Sequence, residues 1–340
     1  MKKHDNLRSD SPFIWIVAVV FVVAVAYVAY SMLAANGIGL QSILNPKAGL
    51  AVPVIIAIAL ILGMLHGITP DEHTWPITFS YAIGSYSTQK GMKAGLTFSA
   101  GFTLQRAILT TLGFMGLASV YTKYNLDGPV YIIVGIAMAI AGMYILNKKQ
   151  YLHIHLDSIF NKVKGHSRYA EVQDRPRDVP LKLAALHGFI AGFGFGAYAT
   201  IITFVLAPQM PSIWYAPLPG LFFGIGTMMM QIVEGGLFAN FARAKKLKEE
   251  ELVYVGRKTA GRTLYYGGIL FSVIGLLIVF FPYIDSVAVS TGNPIPNLDS
   301  IGVATVLVLV VVGVVGIGSL IKGIREVSKL GKQTKKNNIR

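Results

Sequence analysis

Two stretches, "PFIWIVAVVFVVAVAYVAY" at 12–30 and "IGVATVLVLVVVGVVGIGSLI" at 301–321, run without a single charged side chain. A helix of about 20 apolar residues crosses the hydrocarbon core of a bilayer. Lipid offers no partner to backbone N–H and C=O groups, so stretches of this length satisfy them internally as helices. A water-soluble chain of 340 residues would scatter its apolar side chains at helix or strand period instead. Drawn the same way, eight candidate spans fall at about 12–33, 48–66, 94–117, 129–146, 181–206, 218–241, 263–284 and 300–321. The expectation is an all-α, polytopic membrane helix bundle of about eight spans. It forms a single transmembrane domain over residues 1–340, with hydrophilic loops at 147–180 and 242–262. The first block is too long for a cleaved signal peptide and lacks a small-residue cleavage site, so it reads as a retained helix.

The formal net charge of +14 invites a nucleic-acid reading, but its distribution argues against one. With both termini in the cytoplasm, 27 of the 30 Lys and Arg fall in cytoplasmic segments. Only Lys47 and Lys123 lie outside, and Arg106 lies within a span. That asymmetry sets orientation through the positive-inside rule. The expected location is the cell membrane, multi-pass, with the basic segments facing anionic headgroups and no nucleic-acid partner. The chain has no cysteine, hence no disulfide, thiolate metal site or redox motif. It also lacks the G-x4-G-K-[ST] loop that would cradle a nucleotide.

Two halves of the chain resemble each other. "LHG" at 65–67 returns at 186–188, "GLTFSAGFT" at 95–103 aligns with "GLFFGIGTM" at 220–228, and "GIAMAIAG" at 135–142 aligns with "GILFSVIG" at 268–275. The matches keep their order. Spans 2–4 then begin outside and spans 5–7 begin inside, which describes an inverted three-helix repeat, a plan that puts binding sites at the repeat interface. Glycines four residues apart, at 188, 192 and 196 and at 220 and 224, suit close helix packing.

The richest chemistry lies in "GMLHGITPDEHTWP" at 63–76. Pro70 has no N–H for the carbonyl of His66 and its ring crowds that carbonyl, so the helix is expected to end just after His66. "TPDE" then reads as a new helix, with Thr69 as N-cap, Pro70 in the first helical position and Glu72 closing a capping box. The turn would bring His66 and His73 together with Asp71, since the cap occupies Glu72. Imidazole plus carboxylate suits nickel, cobalt or zinc better than copper(I) or calcium. The same acids also satisfy capping and dipole preferences at a helix N-terminus.

Further polar residues fall inside spans, where an ionisable side chain signals function by default. His187 lies about 9 Å into span 5 at helical rise, Glu234 lies at similar depth in span 6, and His66 closes span 2 on that side. Three helices would thus bring polar groups to one level. Gln105 and Arg106 occupy span 3, with Gln231 opposite Arg106 in the repeat; an Arg106–Glu234 ion pair would lock spans 3 and 6, or these residues take part in transport, and both hold if a metal or proton competes for Glu234. Met228–Met230 point in different directions around a helix and read as packing. His153, His155 and Asp157 of "HIHLD", with His166, read as a solvated basic loop rather than a metal-loading site.

These residues resemble the nickel/cobalt transporter (NiCoT) group of the NicO superfamily, whose second helix carries H-x4-D-H. Here the run is His66-x4-Asp71-Glu72-His73, one residue longer. The resemblance implies metal binding by His66, Asp71 and His73. The family's "GFDTATE"-like segment has its counterpart in "GFGAYAT" at 194–200, which lacks both acidic positions and shifts weight to His187 and Glu234 as the second-half partners. The expected function is secondary transport of a divalent transition metal (Ni, Co or Zn), with no permanent cofactor and no catalysis. Protons released when imidazoles bind metal offer a route to proton coupling. Two other functions compete. An anion exporter of the sulfite or amino-acid type would use Arg106 and the helix N-terminus at 70–72. An intramembrane metalloenzyme would use Glu72 as base, although no H-E-x-x-H occurs.

Overall fold

The computed structural model describes residues 12–85, 87–117, 119–124, 126–146, 181–243, 247 and 249–337. The chain is mostly helical, with one two-stranded antiparallel hairpin among the described residues. Five helices among them are long and apolar enough to cross a membrane: Phe13–Ala35, Asp127–Ile145, Leu218–Phe241, Glu250–Phe280 and Val303–Ser328. His153, His155, Asp157 and His166 lie outside the described residues.

Helix α1 (Pro12–Ala35) is largely exposed along its length, and a short α2 (Leu40–Leu44) leads to α3 (Val52–Ile68). The starts of α3 and α4 (Trp75–Gly84) each carry a proline in the first turn, where its missing N–H costs nothing. The Ser87 side chain accepts from the Lys90 N–H at 3.4 Å and starts α5 (Thr88–Phe114). After α6 (Ser119–Tyr124) and α7 (Asp127–Ile145) come α8 (Leu181–Ala191) and α9 (Ala197–Gln209), the latter π-helical over Ile201–Leu206. The order closes with α10 (Leu218–Arg243), α11 (Glu249–Phe280), strands β1 (Ala288–Ser290) and β2 (Ser300–Gly302), then α12 (Val303–Val308). A π-helical stretch, Leu309–Ile317, carries α12 into α13 (Gly318–Asn337).

Glycines set the helix directions, because a side chain at any of these contacts would collide with the opposing helix, with its backbone at Gly63, Gly95, Gly113, Gly188 and Gly220 and with its side chains at Gly67 and Gly192. Gly63 meets Phe223 and Gly67 meets Met230, so α3 and α10 run the same way. Gly95 meets Gln231 and Gly220 meets Arg106, so α5 runs against α10. Gly188 meets Phe98, Gly192 meets Gln105 and Gly113 meets Thr203, so α8 and α9 follow one another along α5. Gly135 and Gly142 of α7 meet Gly268 and Gly261 of α11 in antiparallel fashion.

Three segments differ from expectation. The chain beyond residue 66 is not a simple connecting loop. After a six-residue interruption α4 continues alongside α10, with Thr78 against Gln231 and Phe79 against Phe238, and Pro76–Gly84 are all buried. The stretch "WPITFSYAIG" is too short and too polar to register as a span, but other helices enclose it on every side. Span 5 is interrupted at 192–196, between α8 and α9. The expected loop at 242–262 is mostly helix, since α11 starts at Glu249. Two of its charges, Lys258 and Arg262, lie one turn apart and reach Glu326 of α13 at 3.0 and 3.2 Å.

Candidate metal centre between two broken helices

The first interruption is built from local hydrogen bonds. Thr69 closes α3 from its C-terminal side, its N–H and hydroxyl donating to the Leu65 carbonyl at 3.0 and 2.9 Å. The capping box expected at 69–72 therefore does not form: Thr69 is a C-cap, α3 runs two residues beyond His66, and the next helix starts only at Trp75. Pro70 still marks the stop, since it withholds the N–H that the His66 carbonyl would need. Asp71 shapes the turn. Its Oδ1 accepts from the His73 N–H at 3.0 Å, and its carbonyl accepts from the Trp75 N–H at 3.0 Å.

Asp71 Oδ2 faces His66 Nδ1 at 3.7 Å, too long for a hydrogen bond. Two donors on one transition-metal ion at about 2.1 Å stand roughly 3–4 Å apart, so this spacing leaves room for a shared ion. His66 is 4% exposed, and neither ring nitrogen has a hydrogen-bond partner. Phe102 and Phe223 stack on its ring at 5.4 and 5.2 Å between centroids, while Tyr198 meets it edge-on at 5.5 Å. Phe102 lies midway along α5, so His66, near the end of α3, is level with the middle of that long helix.

Glu72 has a different part from the one expected. Its Oε1 receives His73 Nδ1 at 3.0 Å and the Tyr131 hydroxyl at 3.1 Å. A carboxylate on one imidazole nitrogen fixes the tautomer and leaves the other for a ligand, the usual outer partner of a metal-bound histidine. His73 Nε2 is buried and has no partner. One ligand atom each from Asp71, Glu72 and His73 lie within 4.8 Å of one another.

The second interruption completes the chamber. A Cβ on Gly194 would come within 2.7 Å of the His73 ring, and the Gly194 carbonyl accepts from Arg106 at 2.9 Å. His66, Asp71, His73, Arg106, Tyr198 and Asn297 line a cavity of about 10 Å³, room for one water-sized particle. Above it the hairpin loop between β1 and β2 reaches in. Asn297 Nδ2 donates to Thr69 Oγ1 at 3.4 Å, and the Tyr198 hydroxyl donates to the Pro296 carbonyl at 3.2 Å.

The other expected site residues lie elsewhere. His187 is level with His66 along α5 but turns Nδ1 to the Tyr81 hydroxyl of α4 at 2.8 Å, outside the cavity. Glu234 lies about three turns beyond Phe223 on α10 and pairs with Gln231 at 2.8 Å. Of the three expected at one level, His66 and His187 share it, and Glu234 lies further along α10. Arg106 does not lock onto Glu234; its guanidinium lies 4.6 Å over the Phe102 ring and turns to Gly194. Gln105 packs against Gly192 in the second interruption, and Gln231 donates to the Gly67 carbonyl at 3.3 Å.

Tyr131 and Asn297 were not singled out from sequence, and Gly194 and Tyr198 entered only as part of "GFGAYAT" at 194–200, not as lining residues. A scan of protein-family models, a search of curated proteins and a search of solved structures each give no match to this chain.

Proposed function

We propose that this chain is a secondary transporter of a divalent transition-metal cation of the nickel or cobalt class, held by His66, Asp71 and His73. One observation carries the reading: two imidazoles and a carboxylate, all buried, converge on an ion-sized cavity where two helices are interrupted. Discontinuous helices with a site at their breaks are the common device of secondary transporters, since irregular backbone is tolerated there only when it lines a cavity. The two breaks also fall at matching places if the sequence repeat is read as an inverted repeat. His73 and Gly194, which touch, are separated by the same interval as His66 and His187. Nickel, cobalt and zinc all suit two nitrogens and an oxygen, and softer or larger ions suit them less.

The test is Co²⁺ flux into proteoliposomes. His66→Ala and Asp71→Asn should each reduce flux by more than about 10-fold, since even outer partners of a metal site alter affinity by 10- to 100-fold. Wild-type flux in either well-folded variant overturns the assignment. A second reading has one observation in its favour, the Arg106 guanidinium in the cavity wall, which would suit an anion such as sulfite. The carboxylate of Asp71 in the same wall opposes it. Competition of flux by sulfite, with no effect of cobalt, would favour the anion; competition by cobalt alone favours the metal.

A further inference from the structure

Below the cavity lies a second polar cluster that the metal site does not use. Glu234 is 6% exposed, and Gln231 is fully buried beside it. Glu234 Oε2 receives one hydrogen bond, from Gln231 Nε2 at 2.8 Å, and Oε1 receives none. The same Gln231 amide donates to the Gly67 carbonyl at 3.3 Å, one residue past His66, and its oxygen accepts from the Thr78 hydroxyl. One side chain therefore ties the lower end of α3, the buried α4 and a deep carboxyl on α10.

Among the described residues, the groups around Glu234 bring no counter-charge within 4 Å of its carboxyl. From α3 comes the Gly67 carbonyl, from α4 Thr78, from α5 the backbone at Gly91 and Gly95, and from α1 the Trp15 indole, which bonds the Val233 carbonyl at 2.9 Å. Lys90 and Lys93 of α5 are exposed, and His66 lies on the cavity side of Gly67. A carboxylate enclosed in this way needs a compensating positive charge, and with Oε1 bare the smallest such charge is a proton.

Resting on the transport reading above, we infer that Glu234 is a proton-binding site of this transporter, separate from the metal cavity and linked to it through Gln231 and the Gly67 carbonyl. The carboxyl takes a proton from one side of the membrane and gives it to the other as the broken helices rearrange. Entry of an ion at His66 displaces the end of α3 and with it the Gln231 hydrogen bonds that hold Glu234. An ionisable side chain deep in a span, facing the bundle interior, is the usual element of a proton relay.

The experiment uses the full-length protein in proteoliposomes with Co²⁺ as the probe and a pH-sensitive dye inside. Wild type should move protons against Co²⁺. Glu234→Gln, which keeps shape and hydrogen bonding, should retain Co²⁺ binding and Co²⁺/Co²⁺ exchange within about 3-fold while metal-driven proton flux falls by more than about 10-fold, because no titrating group remains. Glu234→Asp should restore proton flux with a displaced pH profile, an outcome that a merely structural role would not produce, and it keeps the test decisive if the glutamine variant is unstable. Co²⁺-driven proton flux in Glu234→Gln equal to wild type overturns this inference and leaves the metal site untouched. Wild-type vesicles that move Co²⁺ without protons also overturn it. Wild-type vesicles that move no Co²⁺ overturn the transport reading, and this inference with it.

Discussion

At the residue scale the site depends on how each side chain's second atom is employed. Asp71 spends Oδ1 on its own turn and keeps Oδ2 for His66, while His73 spends Nδ1 on Glu72 and keeps Nε2. Tyr131 holds Glu72 in turn. Tyr131→Phe removes that hydroxyl and leaves the ring, which meets the His73 imidazole at 4.9 Å. Metal affinity should weaken by about 10-fold, the range for outer partners of metal ligands, with the fold intact. Isothermal titration with Co²⁺ checks this, and unchanged affinity would mean that Glu72 does not orient His73. Metal binding should also weaken as pH falls, because protons compete for both imidazoles and the sign is the same for each.

At the scale of elements, the two interruptions form one feature. Gly194 faces His73 so closely that a methyl group there requires the ring or the backbone to move. Gly194→Ala should therefore lower Co²⁺ affinity more than it lowers thermal stability, whereas Gly192→Ala, which meets the Gln105 side chain, should leave the affinity closer to wild type. Equal effects on affinity would disconnect the second break from the site. This contrast also indicates what a sequence discloses. Residues 66, 71 and 73 are neighbours along the chain, and one proline announces a turn, so their meeting was legible. The depth of the turn was not. It depends on α4, whose Thr78, Ser80 and Tyr81 look solvent-facing until they are seen hydrogen-bonded to Gln231, the Pro76 carbonyl and His187. Long apolar runs such as α1 and α10 declare themselves by composition. Contacts that join Tyr131 to Glu72 or Asn297 to Thr69 across the chain carry no local pattern.

At the scale of the whole molecule, two broken helices meet level with the middle of the long helix α5, with the β1–β2 hairpin loop over one mouth of the cavity. Asn297, which holds a left-handed backbone with φ of 66°, and Pro296 make the contacts that close it. The chain has no native cysteine, so a thiol placed at Ala199→Cys in the cavity wall reports access without background. A water-soluble maleimide should label that thiol slowly, and faster once Asn297→Ala releases the hairpin. Equal rates would show that the loop does not cover the site.

The central claim is that imidazole and carboxyl groups at a helix break form a pocket for one doubly charged ion. Metal content of the purified protein after equilibration with Co²⁺ and removal of excess tests it most directly, read for wild type beside Asp71→Asn. About one equivalent per chain is expected in wild type, since the cavity has room for a single particle, with a loss of more than about 10-fold in the variant. Metal-free wild type, or equal loading of the two proteins, would contradict the account.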